Sequence, residues 1–172
     1  MITFHFISCG EGDLDILRQI SIRTFVDTYA QMNKEENVQQ HIHEAFNSFQ
    51  LLSELRDPHQ YFFFLYVDND LAGYIKLNIR DAQTEAFADD VIELERIYLL
   101  KKYQGKGFGR LLINKALQVG KELNCSRMWL GVWKKNPGAV GFYERVGFKI
   151  FDEHTFTVGD EDQSDWMMDI YF

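Results

Sequence analysis

The sequence predicts an α/β (α+β) fold with one mixed central β-sheet of about seven strands and helices on both of its faces. The prediction depends on the apolar pattern, which changes between strand and helix periods in the order β-α-α-β-β-β-α-β-α-β-β. The length of 172 residues suits a single domain, residues 1–172, that needs neither disulfides nor a metal to fold. No repeat and no linker interrupts this order, and proline occurs only twice.

Strands are predicted where apolar, β-branched and aromatic residues alternate or run together over five to eleven positions. Two of these runs flank the turn sequence Asp68-Asn69-Asp70, which predicts a hairpin. The last two runs are expected to be joined by an acidic loop, residues 159–165. The predicted strands are 2–8, 61–67, 71–79, 91–100, 128–132, 148–158 and 166–172.

Helices are predicted where apolar residues recur every three or four positions behind a side chain that can cap a helix. In the last of them Asn136 is the expected cap, Pro137 takes the first helical position, and Gly147 ends the helix. The first helix is expected to be capped by Asp13 and the second to begin at Asn33, with Glu36 at capping-box spacing. The remaining predicted helices are a short one at 51–55 and a long one at 107–123.

Charge and cysteine content restrict the class of function. A net charge of −8 disfavours a nucleic-acid partner and is compatible with a cationic substrate. Cys9 and Cys125 are too few for a disulfide framework, no apolar run approaches the ~20 residues of a membrane span, and the N-terminus lacks signal-peptide features. His41 and His43 would face different sides of a helix, so no metal is expected. We therefore expect a cytoplasmic protein that binds neither nucleic acid nor a membrane.

The most informative segment is a glycine-rich turn between a predicted strand and a predicted helix. Glycines at alternate positions allow backbone N–H groups to converge, and a helix N-terminus attracts anions. The spacing lacks a Walker motif, and an arginine replaces the third glycine of a dinucleotide fingerprint. The residues alone leave a phosphate site and a plain tight turn as alternatives. The segment consists of Gln104, Gly105, Lys106, Gly107, Phe108, Gly109 and Arg110.

Two ordered motifs resemble those of the GCN5-related N-acetyltransferases (GNAT). The turn with its amphipathic helix looks like the family's coenzyme A pyrophosphate loop, and residues 136–148 (NPGAVGFYERVGF) are similar to its second signature. Residues 93–99 (ELERIYL) and the order of strands and helices also fit that family's fold. A narrower resemblance to PaiA-type spermidine/spermine N-acetyltransferases is carried by residues 24–28, 62–64, 72–74, 81–83, 129–133 and 159–163.

The GNAT resemblance implies an enzyme that transfers acetyl from acetyl-CoA to a primary amine by direct attack of the amine on the thioester. The PaiA resemblance implies that this amine belongs to a polyamine such as spermidine or spermine. The GNAT resemblance also implies that the strand ending near Tyr98 splays away from the strand that starts at Met128, so that the pantetheine arm enters between them. Tyr143 would protonate the leaving thiolate and Asn136 would hydrogen-bond pantetheine. The residues implied to contact acetyl-CoA are Ile97, Tyr98, Leu99, the turn residues 104–110, Asn136 and Tyr143.

The acceptor amine must lose a proton before it attacks, since only about one alkylamine molecule in two thousand is neutral at pH 7. Glu93 and Glu95 lie two apart on one predicted strand, so they share a face. Glu95 is our first candidate for the base or amine-binding group and Glu93 the second. The alternative is that both are exposed carboxylates or that one pairs with Arg96. For Tyr143 the alternative role is core packing, and for Asn136 it is capping alone.

Other acceptors and roles remain open from the sequence. The acceptor is alternatively a protein N-terminus, a lysine or another small amine, or the protein is an acyl-CoA- or polyamine-sensing regulator with little turnover. The acidic residues 160–162 and Asp165 are interpreted as a solvated loop, with attraction of a polycation as the alternative, and His154 is assigned no role. A homodimer that pairs through the aromatic segment 166–172 is compatible with the sequence.

Overall fold

The computed structural model describes the backbone of residues 1–172 and every side chain except that of Phe156. Within this described chain, seven strands form one mixed sheet in the order β1-β2-β3-β4-β5-β7-β6, which confirms the predicted fold class. The elements are β1 (Phe4–Ser8), α1 (Leu14–Tyr29), α2 (Glu35–Ala45), α3 (Ser48–Arg56), β2 (Gln60–Val67), β3 (Asp70–Ile79), β4 (Val91–Leu99), α4 (Phe108–Glu122), β5 (Arg127–Trp133), α5 (Pro137–Val146), β6 (Lys149–Val158) and β7 (Glu161–Tyr171).

The sheet separates two apolar cores, which explains the continuous apolar run of β2. Phe62 and Phe64 pack with α1, α2 and α3 on one side, which we call the front face. Leu65 and Val67 pack with α4 and α5 on the other side, the back face. A strand that is buried on both sides has no polar face to show, so its sequence does not alternate.

The predicted boundaries of α5 are confirmed. The Asn136 side chain accepts a hydrogen bond from the Ala139 N–H at 3.2 Å, and Pro137 is the first helical residue. Gly147 ends the helix with a φ of 118°, in the left-handed region that favours glycine. Phe148 then covers the helix end and is almost fully buried.

The predicted starts of the first two helices are wrong in detail. Asp13 does not cap α1 with its side chain, because its carboxylate accepts the Gly10 N–H at 2.8 Å and closes the short turn before the helix. Asn33 does not begin α2, since its amide donates to the Tyr29 carbonyl at 2.9 Å and so binds the end of α1. The helix α2 begins two residues later, after Lys34.

The predicted loop at 159–165 is also wrong. Gly159 and Asp160 form a two-residue turn, and β7 begins at Glu161. Polar side chains in this segment belong to a strand with cross-strand partners; Thr157, for example, donates to Asp162 at 2.9 Å. The strand β7 lies between β5 and β6, and its residues 165–169 have pairing partners on both sides. The edges of the sheet are β1 and β6.

The parallel strands β4 and β5 separate after a short paired stretch. Their pairing runs from Val91 opposite Arg127 to Glu93 opposite Trp129, although both strands continue beyond this point. This confirms the splay between the two strands, and it opens the sheet in its centre. Among the described residues, none of the helices combines the length and apolar character that a membrane crossing requires.

Candidate active site

A cavity of about 890 Å³ lies where β4 and β5 diverge. Its walls come from both strands, the glycine-rich turn, the start of α5, and residues of α1 and α2. All the predicted site residues except Lys106 and Phe108 line it. Lys106 is exposed to solvent, and the Phe108 ring is buried against Tyr103 in the back-face core. The predicted residues that line the cavity are Glu93, Glu95, Ile97, Tyr98, Leu99, Gln104, Gly105, Gly107, Gly109, Arg110, Asn136 and Tyr143.

The glycine-rich turn presents a helix N-terminus to the cavity. Gly105 and Gly107 have φ values of 71° and 87°, a conformation that other residues adopt only under strain, and Gly107 is the N-cap of α4. The Gln104 side chain donates to the Leu99 carbonyl at 3.0 Å and fixes the turn against the end of β4. The first N–H groups of a helix have no partner within the helix. With the exposed Arg110 beside them, these groups fit a pyrophosphate.

Helix α5 contributes two side chains, one helical repeat of seven apart, to the same cavity. Asn136 does so while its Oδ1 caps the helix. Tyr143 is 8% exposed, and its ring packs against Phe142 and Phe148. Burial raises the pKa of Tyr143, so its hydroxyl keeps its proton and can act only as a donor toward an anionic group. The side chain is therefore both a core residue and a wall of the cavity.

Glu93 is buried and held by three hydrogen bonds. Its Oε1 accepts from the Thr84 hydroxyl at 2.5 Å, and its Oε2 accepts from the Thr84 N–H at 2.8 Å and from Asn78 at 3.0 Å. Burial and the nearby charge of Glu95 raise the pKa of Glu93 despite these bonds. A carboxylate has about four acceptor positions, so one remains for a proton or an ammonium group.

Glu95 lies in a network of buried charges on the front face. Its Oε2 accepts from Lys76 at 2.5 Å and from Asn78 at 2.7 Å, and Oε1 is 3.6 Å from the Arg96 guanidinium. Burial acts to raise the pKa of Glu95, but the charges of Arg96 and Lys76 outweigh it and hold the pKa at about 2. A carboxylate with so low a pKa is a weak proton acceptor and a permanent negative charge. Glu54 completes the network by pairing with both Lys76 and Arg96.

A β-bulge brings these charges to one face. The register between β3 and β4 shifts so that Lys76 is opposite Arg96 while Leu77 is opposite Leu94, which leaves Glu95 as the extra residue. Glu95 and Arg96 are neighbours in sequence, yet both contact front-face partners, as a bulge allows. Glu93 and Glu95 share the front face, as predicted from their spacing.

Comparison with known proteins assigns this arrangement to a family. The model of the acetyltransferase (GNAT) family matches residues 17–148. An uncharacterized N-acetyltransferase in the pepI 3' region of Lactobacillus delbrueckii subsp. lactis is 38% identical over 162 residues, 94% of each chain. The chain belongs to the GNAT family.

A relative and a solved structure from Thermoplasma acidophilum are similar along almost the whole chain. A spermidine N(1)-acetyltransferase of Thermoplasma acidophilum is 28% identical over 161 residues, which cover 91% of this chain and 90% of that protein. The crystal structure of the PaiA N-acetyltransferase of T. acidophilum in complex with coenzyme A superposes with a TM-score of 0.80, at 26% identity and 99% coverage of both chains. This GNAT chain is thus an N-acetyltransferase that uses acetyl-CoA, and the turn at its α4 N-terminus fits that molecule.

Three front-face residues of this GNAT enzyme were missed by the sequence analysis. Asp165 of β7 is 8% exposed and lines the cavity, contrary to its interpretation as a loop residue. His154 of β6 and Glu85 of the β3–β4 connection line the cavity beside it. The available signal was alternation: Gln163 and Asp165 point inward while Asp162 and Ser164 point outward. Among the described residues, no group of His, Cys, Asp and Glu has an arrangement that holds a metal ion.

Proposed function

We propose that this GNAT enzyme acetylates a primary amine of a small cationic acceptor, most specifically a polyamine such as spermidine or spermine. The observation that carries the proposal is the acidic front-face part of the cavity. There, Glu93, Glu95 and Asp165 line the same space as the turn that fits coenzyme A. Carboxylates that are removed from water attract an ammonium group more strongly than exposed ones do. The similarity to the spermidine N(1)-acetyltransferase of T. acidophilum supports the same acceptor class.

The proposed roles follow from the position of each group. Acetyl-CoA supplies the activated acetyl thioester when it is bound. Backbone groups of Ile97, Tyr98 and Leu99 hold the pantetheine arm, and an N–H of this segment donates to the carbonyl oxygen as it gains negative charge. The Tyr143 hydroxyl donates to the departing sulfur, and the Asn136 side chain orients the arm.

We assign the amine's proton to Glu93 and a fixed charge to Glu95, which reverses the preference drawn from sequence. Glu93 has a raised pKa and one remaining acceptor position, so it takes up a proton more readily. Glu95 stays ionised because Arg96 and Lys76 stabilise its charge. Its role is to attract the ammonium form of the acceptor and to raise the proton affinity of Glu93.

We further propose that residues 1–172 act as one domain in the cytoplasm. One sheet includes strands from Phe4 to Tyr171, and Cys9 and Cys125 are free thiols, as expected in a reducing compartment. A homodimer is a separate hypothesis, and none of the residue roles rests on it.

The test is an assay of thiol release from acetyl-CoA with a panel of acceptors. The panel contains spermidine, spermine, putrescine, propylamine, a peptide with a free N-terminus and a peptide whose only amine is a lysine. We expect spermidine and spermine to give the highest kcat/KM. Turnover of a peptide alone would assign a protein acceptor instead, and tight coenzyme A binding without any turnover would assign a sensor.

A further inference from the structure

Asp165, His154 and Glu85 form a cluster in the front-face part of the cavity, and the mechanism above gives His154 and Glu85 no role. The Oδ2 atom of Asp165 is 3.4 Å from Nε2 of His154. The other ring nitrogen of His154 is 3.3 Å from Oε1 of Glu85. Each ring nitrogen therefore lies near a carboxylate oxygen, which places the imidazole between Asp165 and Glu85.

The cluster lacks one hydrogen-bond donor. Oδ1 of Asp165 is buried and has no donor within reach in the part of the chain that the structure describes. A buried acceptor without a partner costs free energy, and such atoms are rare in folded proteins. Burial also raises the pKa of Asp165, which a neighbouring cation would lower again. Asp165 thus borders the cavity with an unmet requirement for a hydrogen-bond donor, which an ammonium group can supply.

Gly131 of the neighbouring strand β5 lets Asp165 and His154 lie close to its backbone. A Cβ atom on Gly131 would lie 3.2 Å from Oδ2 of Asp165 and 3.3 Å from Cε1 of His154, so a side chain at this position would crowd both. The rings of Trp129 and Trp133 line the cavity on either side of Gly131. Their indole N–H groups already donate to Gln83 at 2.9 Å and to Gln163 at 3.0 Å. Both rings are buried, so they form apolar walls of the cavity next to Gly131.

Sheet geometry separates this cluster from the two glutamates of β4. Strand β5 lies between β4 and β7, so Asp165 and Glu95 are at least two strand spacings apart, which is about 10 Å. The register adds a displacement along the strands, because Glu93 is level with Trp129 and Asp165 with Trp133. A single ammonium group cannot contact both places. An elongated acceptor with two charged ends can.

We propose that Asp165, positioned by His154 and Glu85, binds the distal ammonium group of an elongated di- or polyamine while Glu93 and Glu95 receive the amine that is acetylated. This inference deepens the proposed function and rests on it. According to this proposal, Asp165 is the residue that makes the enzyme select polyamines over simple monoamines. The cluster suits an organic ammonium rather than a metal ion, because no metal-holding arrangement is present among the described side chains.

The test compares Asp165→Asn with a matched control, Asp162→Asn. Asp162 lies on the same strand and carries the same charge, but it is exposed and lies outside the cavity. For each variant, kcat/KM is measured with spermidine and with propylamine, which lacks the distal charge. D165N should lower kcat/KM for spermidine at least about tenfold, the loss expected for a buried charged partner, and should leave that for propylamine within about twofold. D162N should change neither value.

A second, less disruptive substitution in the same cluster controls for a folding defect in D165N. Glu85→Gln alters a half-exposed side chain and should lower kcat/KM for spermidine in the same direction by about threefold, with propylamine unchanged. An equal loss for spermidine and propylamine in D165N would overturn the inference, because Asp165 would then act in catalysis or in folding.

Calorimetric titration of spermidine into the coenzyme A complex separates this inference from the proposed function. Weaker binding to D165N than to wild type supports the subsite even if no acceptor is turned over. Equal spermidine binding to wild type and D165N overturns the subsite, whatever the activity of the enzyme.

Discussion

The two ends of the cavity are built in different ways. The proposed acetyl-CoA end is a contiguous turn, residues 104–110, that is exposed apart from Phe108 and Gly109 and whose backbone N–H groups are the proposed anion site. The proposed acceptor end is assembled from side chains on four separate segments, β4, β6, β7 and the β3–β4 connection, and all of them except the half-exposed Glu85 are largely buried. The backbone at the first end carries its own partial charge, whereas the second end depends on ionised groups that must be neutralised or paired. Changes at the acceptor end should therefore affect stability as well as activity.

The largest expected effect is on stability. Lys76→Met removes a buried cation that pairs with Glu54 at 3.2 Å and with Glu95 at 2.5 Å, leaving two carboxylates to share Arg96. We expect the free energy of unfolding in urea to fall by about 3 kcal/mol. The control is Lys102→Met, which breaks an exposed ion pair with Asp70 near the acetyl-CoA end. This variant should leave the free energy of unfolding unchanged. If the free energy of unfolding falls equally in the two variants, the two ends of the cavity do not differ in their effect on stability.

The next effect tests the proton acceptor. Protonated Glu93 cannot accept a proton, and its pKa is raised above the ordinary 4.5 of a glutamate, so wild-type kcat should fall as pH drops through that raised pKa. Glu93→Gln should lower kcat about 100-fold and remove this fall in kcat at low pH, the acidic limb of the pH–rate profile. Glu95→Gln removes the charge that helps to raise the pKa of Glu93, so the limb should move to lower pH. The limb is measured at saturating amine, and its persistence in E93Q would exclude Glu93 as the proton acceptor.

Tyr143→Phe tests the back-face wall of the cavity. Loss of the hydroxyl should lower kcat by about 10- to 100-fold, with little change in the KM for acetyl-CoA, because the hydroxyl acts only as the sulfur departs. Steady-state kinetics with thiol detection measure both constants. Phe142→Tyr, which adds a hydroxyl to the neighbouring ring, is a control for general changes in α5 packing. An unchanged kcat in Y143F would remove Tyr143 as the donor to the sulfur.

The smallest effect concerns the side-chain charges of the turn. Arg110 lines the cavity and Lys106 does not, although both are exposed. Arg110→Gln should raise the KM for acetyl-CoA by about threefold and weaken its salt dependence, because exposed charges contribute little and are screened. Lys106→Gln should have a smaller effect. A loss of more than tenfold in R110Q would mean that the side chain, rather than the backbone, provides the anion site.

The difference between the two ends explains which parts of the site could be predicted from the sequence. The turn at 104–110 and the cap at Asn136 are local patterns, in which neighbours in sequence are neighbours in space, so they were predictable. The failure at Asn33 has a local cause too, since its side-chain amide donates to the Tyr29 carbonyl and holds the side chain at the end of α1. At 159–165 the acidic residues concealed the strand alternation that turns Asp165 toward the cavity.

Only the tertiary structure distinguishes the proposed roles of Glu93 and Glu95. Glu93 and Glu95 are equivalent by spacing, and only the bulge and the partner Lys76, which lies on another strand, make their pKa values different. The roles of His154 and Glu85 likewise depend on β6, β7 and the β3–β4 connection meeting at one place. No pattern within a single segment carries that information.

The central claim is that one cavity has an acetyl-CoA end made of backbone and an acceptor end made of buried carboxylates. The direct test is to measure kcat/KM for acetyl-CoA and for spermidine on the same two variants, Gly107→Ala and Asp165→Asn. Alanine at a φ of 87° strains the turn, so G107A should lower kcat/KM for acetyl-CoA about tenfold at saturating spermidine. D165N should lower only the spermidine value. If each variant lowers both values equally, the two ends are not separate sites and the account is contradicted.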